Sequence, residues 1–242
     1  MESVPRPSEL DDGELEMLGS SCKDYLRFGR LVDAVVSGRL PDERNLLVRQ
    51  NTPRALLELG FPDLPWVMTR KHVEQVLSPK IFGAVHGHGL TRYSLKRLPE
   101  LMEWPAAVIS SPTRGIVCVL AERDPEGLPL VMPCDPDVTD RSATLRGDVN
   151  FVLSVYGSVG LGARLNRASR EGRLMALDLE ALGSLIPEHE LKELARAEAA
   201  RSSETIERRN EPLRAIASRA PSLLDGGTRN RGEATHEVSP RR

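Results

Sequence analysis

Residues 115–134 read GIVCVLAERDPEGLPLVMPC. Ile116 to Leu120 is a short apolar, β-branched run, and Leu128 to Cys134 is another. Between them Arg123-Asp-Pro-Glu-Gly127 concentrates turn-forming residues. Two such runs around a glycine-containing turn predict a β-hairpin. Working outward, AAVIS (106–110), VNFVLSVYG (149–157) and GRLMALDL (172–179) are further short apolar segments, set apart by SPTR and DPDVTDRSATLRGD. These are strands, and Asp178 is placed to cap a helix over Leu179–Leu185.

Upstream the apolar spacing becomes helical. Residues 22–38, CKDYLRFGRLVDAVVSG, place Tyr25, Leu26, Leu31, Val32, Val35 and Val36 at mostly helical spacing, with Gly38 as a stop. NLLVRQ (45–50) is a short strand. In TPRALLELG (52–60) Thr52 is the expected N-cap, Pro53 the first helical residue and Gly60 the end. WVM (66–68) is a strand, and Thr69 caps RKHVEQVL, which buries Val73, Val76 and Leu77. TRYSLKRLPELMEWP (91–105) turns Leu95, Leu98 and Met102 inward, and Pro99 divides it into two short helices. Helices followed by a meander of strands define an α+β class with an antiparallel sheet, a C-terminal helix and disordered tails. The C-terminal helix, EHELKELARAEAARSSETIERR, carries a thin apolar stripe, so it is either solvent-exposed or docked on a partner.

Composition narrows the function classes. The chain has 242 residues, 40% hydrophobic and 4% aromatic, enough for one modest core. Cys22, Cys118 and Cys134 form no CxxC pair, which argues against a disulfide framework or a cysteine zinc site and suits a reducing compartment. No signal-peptide pattern and no long apolar run is visible, so the expected location is cytoplasmic, without membrane contact. Residues 1–20 hold six acids and one base and read as a disordered acidic tail. From Arg70 to Arg97 the balance reverses: Arg70, Lys71, Lys80, Arg92, Lys96 and Arg97 stand against Glu74 alone. Such a surface suits an anionic polymer, or is simply a solvated basic helix face.

The chemistry-bearing residues lie in that window. VHGHGLTRY (85–93) sets His86 and His88 in a glycine-flanked loop. A His-x-His pair supplies two metal ligands, and nothing nearby supplies a third, so no metal and no cofactor is expected. Acid–base chemistry asks for less. Cleaving RNA through its 2′-hydroxyl needs a base, an acid and cations to hold phosphoryl charge, roles open to histidine and to arginine or lysine. His88 or His72 with Lys71 and Arg92 would be such a set; a helix-capping loop histidine and a half-buried helical one are the plain alternatives. Ser154 and Tyr156, two apart on a strand, would share a face opposite Val155. Gly157-x-x-Gly160-x-Gly162 has the wrong glycine order for a dinucleotide loop and reads as a flexible connection.

The succession TPRALLELGFPDLPWVMTRKHVEQVL, HGHGLTRYSLKRLPELMEWPAAVISSPTRGIVCVLAE and FVLSVYG resembles the C-terminal domain of phage MuF-type head proteins, of the barnase–EndoU–colicin–RelE-like nuclease superfamily. The resemblance covers roughly residues 44–186 and gives the division 1–20 tail, 21–43 helical segment, 44–187 nuclease-like domain and 188–242 charged helix and tail. It implies N-terminal helices packed on an antiparallel four- to five-stranded sheet and a metal-independent, toxin-like RNase activity. The catalytic candidates are His88, His72, Ser154 and Tyr156, and the substrate-binding ones Lys71, Arg92, Arg114 and Arg70. RNA is the implied partner, with phage head proteins or an immunity (antitoxin) protein beside it, in the cytoplasm or on the virion. Two features depart from the family pattern: no long portal-like region precedes the domain, and His86 competes with His88 for the loop position. The rival class is a non-enzymatic phage protein whose basic face binds nucleic acid or a head component.

Overall fold

The computed structural model describes residues 20–40, 45–80, 87–112, 115–140 and 147–201, with backbone alone at 20–22 and 140. The acidic tail, the segment holding His86, Arg114 and the end beyond residue 201 lie outside the described residues.

The hairpin of residues 115–134 is the centre of the sheet. Strand β4 (Ile116–Arg123) pairs antiparallel with β5 (Pro129–Asp140), setting Cys118 opposite Met132 and Ile116 opposite Cys134. Asp124 closes the turn: its Oδ1 accepts from the N–H of Glu126 at 3.0 Å and of Leu128 at 2.8 Å, while Gly127 takes the positive φ of 80°. This is the local bonding by which aspartate favours turns.

The other strands are β1 (Asn45–Arg49), β2 (Trp66–Thr69), β3 (Ala107–Ser110), β6 (Gly147–Val152), β7 (Tyr156–Gly157) and β8 (Leu174–Leu177). They build an eight-stranded sheet of order β1-β2-β6-β5-β4-β3-β8, with β7 pairing the first residues of β5. The α+β class holds, but the sheet is larger than four or five strands. It also contains a parallel pair, β2 with β6, matching Trp66 to Asn150 and Val67 to Phe151.

Strand alternation splits the core in two. Cys118, Leu120, Met132 and Cys134 point to one face with Phe28 and Val32 of α1 (Ser20–Val36) and Val73 and Val76 of α3 (Arg70–Leu77). Leu95 of α4 (Arg92–Lys96) and Leu98 of α5 (Leu98–Leu101) join them. Val117, Val119 and Val131 point to the opposite face, under Leu165 of α6 (Leu161–Arg170) and Leu182 of α7 (Leu179–Gly183). Residues 188–201 form a further helix, α8, on that face. Its Leu194 is fully buried and Glu198 accepts from Ser169 Oγ at 2.5 Å. Over the described residues 188–201 the thin apolar stripe therefore docks on the chain's own sheet. Two compact units divide the chain at Ala199/Ala200, and of the second only residues 200 and 201 are described.

Two local expectations are corrected. Helix α2 (Arg54–Leu57) has Pro53, not Thr52, at its cap, and no side-chain cap bond. The Thr52 hydroxyl instead accepts from Trp66 Nε1 at 3.1 Å and donates to the Pro62 carbonyl at 2.7 Å. The break in residues 91–105 falls at Arg97, because Pro99 fits the first turn of α5, where no backbone N–H is needed.

Candidate active site

The parallel strands β2 and β6 end on the same side of the sheet. The chain leaves β2 at Thr69 directly into α3, and leaves β6 at Val152 into Leu153–Val155. The carboxyl ends of neighbouring parallel strands are where open sheets form ligand crevices. The first turn of α3 is Arg70-Lys71-His72 with no acid, and Thr69 Oγ1 accepts from His72 N–H at 3.0 Å. Cations there oppose the helix dipole by roughly 0.3–1 kcal/mol each, a cost an incoming anion would reverse.

His72 is half-buried, and its Nδ1 is shut off from solvent without a hydrogen-bond partner. Burial lowers its pKa below the ordinary value, and the adjacent Lys71 lowers it further. One turn along, Gln75 lies on the same side of the helix. Its side-chain nitrogen is 3.5 Å from His88 Nε2, and its carbonyl accepts from the His88 N–H at 3.2 Å. Gly89 N–H to Ser78 and Leu90 N–H to Val76 continue this bonding, so the chain entering α4 runs along the last turn of α3. The His88 ring centroid lies 5.2 Å from that of Tyr156, at an interplanar angle of 35°. Burial lowers the His88 pKa as well, followed by the charge of Lys80. Both imidazoles are thus held in the neutral form near pH 7, the form a proton acceptor needs.

Ser154 and Tyr156 do not stand on one continuous strand. The ladder is interrupted at Leu153–Val155, between β6 and β7. The cause lies in β5: Pro133 accepts from Leu153 N–H at 3.0 Å but has no N–H to return. Val155 turns into the first core and Tyr156 packs against the second. Ser154 Oγ is buried without a partner.

Of the residues singled out in the sequence, His88 and Tyr156 are in direct ring contact, and His72 shares the Gln75 side of α3 with them. Lys71 and Arg92 are exposed, at the first turns of α3 and α4. Arg70 is committed to its own chain, pairing with Glu74 at 2.8 Å and donating to the Leu40 carbonyl. Gln75, Lys80, Asp124 and Gly157 were not anticipated. Lys80 Nζ lies 2.8 Å from Asp124 Oδ2 and 2.7 Å from Glu126 Oε2. Burial opposes the Lys80 charge, but the bonds to the two carboxylates outweigh it and raise its pKa. The turn motif Asp124-Pro-Glu-Gly was the one visible signal for this group.

Among the described residues no cluster of three or more His, Cys, Asp or Glu could hold a metal ion, and no helix is long and apolar enough to cross a membrane. Cys118 and Cys134 are buried free thiols in the first core; burial, then the Cys118 neighbour, pushes the Cys134 thiol well up. No protein-family model, curated protein or solved structure matches the chain.

Proposed function

We propose that this chain is a metal-independent ribonuclease of the MuF C-terminal type, a toxin-like effector acting on RNA by general acid–base catalysis. The observation that supports this most is the neutral, pKa-lowered His88 set against Tyr156, beside a helix whose first turn is Arg-Lys-His. In this reading His88 takes the 2′-hydroxyl proton as the oxygen attacks phosphorus. His72, in the minor population that has taken up a second proton, delivers that proton to the departing 5′-oxygen, leaving a 2′,3′-cyclic phosphate and a free 5′-hydroxyl. Lys71 and the opening N–H groups of α3 offset charge on the phosphoryl oxygens. Tyr156 offers a face for a base, and Arg92 and Arg114 further contacts along the strand, while the buried Ser154 hydroxyl does not reach the substrate. An immunity protein or phage head proteins are the protein partners this reading carries, and a cytoplasmic or virion location goes with it.

The test is cleavage of a defined RNA in excess chelator, with product ends identified by mass. Wild type should yield cyclic phosphate ends, and a single 2′-deoxy substitution should abolish cutting at that site. His88→Ala and His72→Ala should each lose about 10²–10⁴-fold in rate. RNA left intact by folded wild type, yet retained on the protein in a salt-dependent manner, would favour the binding-module class instead.

A further inference from the structure

The contacts around His88 close into a ring. The chain leaves α3 through Pro79 and Lys80 and returns at Gly87–Leu90 beside the same two residues. A β-carbon on Gly87 would collide with the Pro79 carbonyl oxygen, and one on Gly89 would lie 3.5 Å from Lys80 Cγ. The two ends of this loop therefore touch. From that neck Lys80 reaches to Asp124, whose side chain has 0% exposure and whose other oxygen serves the hairpin turn. Asp124 Oδ2 in turn lies against Gly157, the residue after Tyr156, so closely that a β-carbon there would collide with it. Tyr156 completes the circuit by its ring contact with His88.

We propose that the Lys80–Asp124 ion pair is a positioning device: it ties the neck of the histidine loop to the β4–β5 turn and so fixes His88 against Tyr156. A carboxylate taken wholly out of water is costly to leave unpaired, so the pair does not open freely. Lys80 is only partly exposed, at 31%, and its second partner, Glu126, is exposed at 58%, which makes Asp124 the anchoring end. Catalytic geometry tolerates little slack, and about 1 Å of misplacement costs on the order of a hundredfold. The groups facing His88 are Gln75 from α3, Tyr156 from β7 and Lys80 from the neck, with Asp124 and Glu126 behind Lys80.

The kinetic part of this inference rests on the ribonuclease reading; its spectroscopic part does not. The experiment follows the His88 Cε1–H resonance by NMR across pH in wild type, Lys80→Met, Lys80→Arg and Glu126→Gln, with Tyr156→Leu defining the ring-current contribution. Lys80→Met should raise the His88 titration, abolish the Tyr156 ring-current displacement and lower kcat roughly tenfold or more at unchanged KM. Lys80→Arg should restore the displacement, and Glu126→Gln should keep it. A folded Lys80→Met protein with the wild-type displacement would overturn the proposal. So would a Lys80→Met protein that fails to fold, since the pair would then hold the fold and not the histidine. If RNA proves untouched by every form, the resonances still decide the positioning role, while the ribonuclease reading falls separately.

Discussion

The side-chain amide of Asn150 donates to the Thr52 hydroxyl across 3.0 Å, joining positions 98 apart in a buried site. The same hydroxyl accepts from Trp66 Nε1 at 3.1 Å, and Asn150 Oδ1 accepts from the N–H of Asp137, which holds a positive φ of 55° in β5. One polar knot thus fixes β1, the loop to β2, β6 and the bulge of β5. Thr52→Val keeps the shape but strands the buried Trp66 Nε1 donor and leaves the Asn150 amide only its 3.4 Å contact to the Pro62 carbonyl, so it should cost about 1–3 kcal/mol in chemical denaturation. Thr52→Ser should cost under about 1 kcal/mol. Equal losses for the two variants would mean that the methyl group, not the hydroxyl, matters there.

That knot also shows where reading the sequence stops. A threonine before proline and an apolar run looks like an N-cap because caps are local, and nothing local reveals Trp66 or Asn150 competing for the hydroxyl. Strand segments, the Asp124 turn, and the Thr69 and Asp178 caps were legible, since each is decided within a few residues. Strand order was not. The parallel pairing of β2 with β6 depends on contacts between residues over eighty positions apart, and it sets His72 at the same sheet end as Ser154. His88 and Tyr156 were each legible as candidates by residue type and by family resemblance. Gln75, Lys80 and Asp124 were not, because their importance arises only from the ring of contacts that folding closes.

Gly157 has no positive φ among the glycines that do, so its lack of a side chain answers to space alone. A β-carbon would meet Asp124 Oδ2 and lie 2.9 Å from Leu128 Cβ, and neither group is free to retreat. Gly157→Ala should therefore destabilise by about 1–3 kcal/mol. It should also displace the Tyr156 ring from His88, visible as a changed His88 chemical shift. A neutral effect on both would show that the turn yields.

Helix α8 belongs to the second core, and its residues separate cleanly by burial. Leu194, fully buried, should cost about 2–5 kcal/mol on truncation to alanine. Lys192, in an exposed pair with Glu188 at 2.6 Å, should change stability by less than about 0.5 kcal/mol when truncated. Thermal melts of the two variants check this. Indistinguishable melts would return α8 to the solvent-exposed or partner-docking alternatives.

The two histidines predict a specific pH dependence. Both have folded-state pKa values lowered from the ordinary 6.5, so near and below that value the unfolded chain binds protons the folded one refuses. Stability should be full above about pH 6.5 and fall as pH drops through the lowered folded values. Each histidine contributes a slope of at most about 1.4 kcal/mol per pH unit, and both lie well below this ceiling because solvent reaches them. His72→Gln keeps the side chain polar and of similar size while removing one titration. Denaturation midpoints at pH 7.5 and 5.5 should therefore converge in His72→Gln relative to wild type. In the ribonuclease reading cleavage should be bell-shaped in pH, rising as His88 loses its proton and falling as His72 loses the one it donates, with both limbs below those of ordinary histidines. A variant as acid-sensitive as wild type would mean that His72 is free to protonate in the fold, and its buried Nδ1 could not then be the group that resists acid.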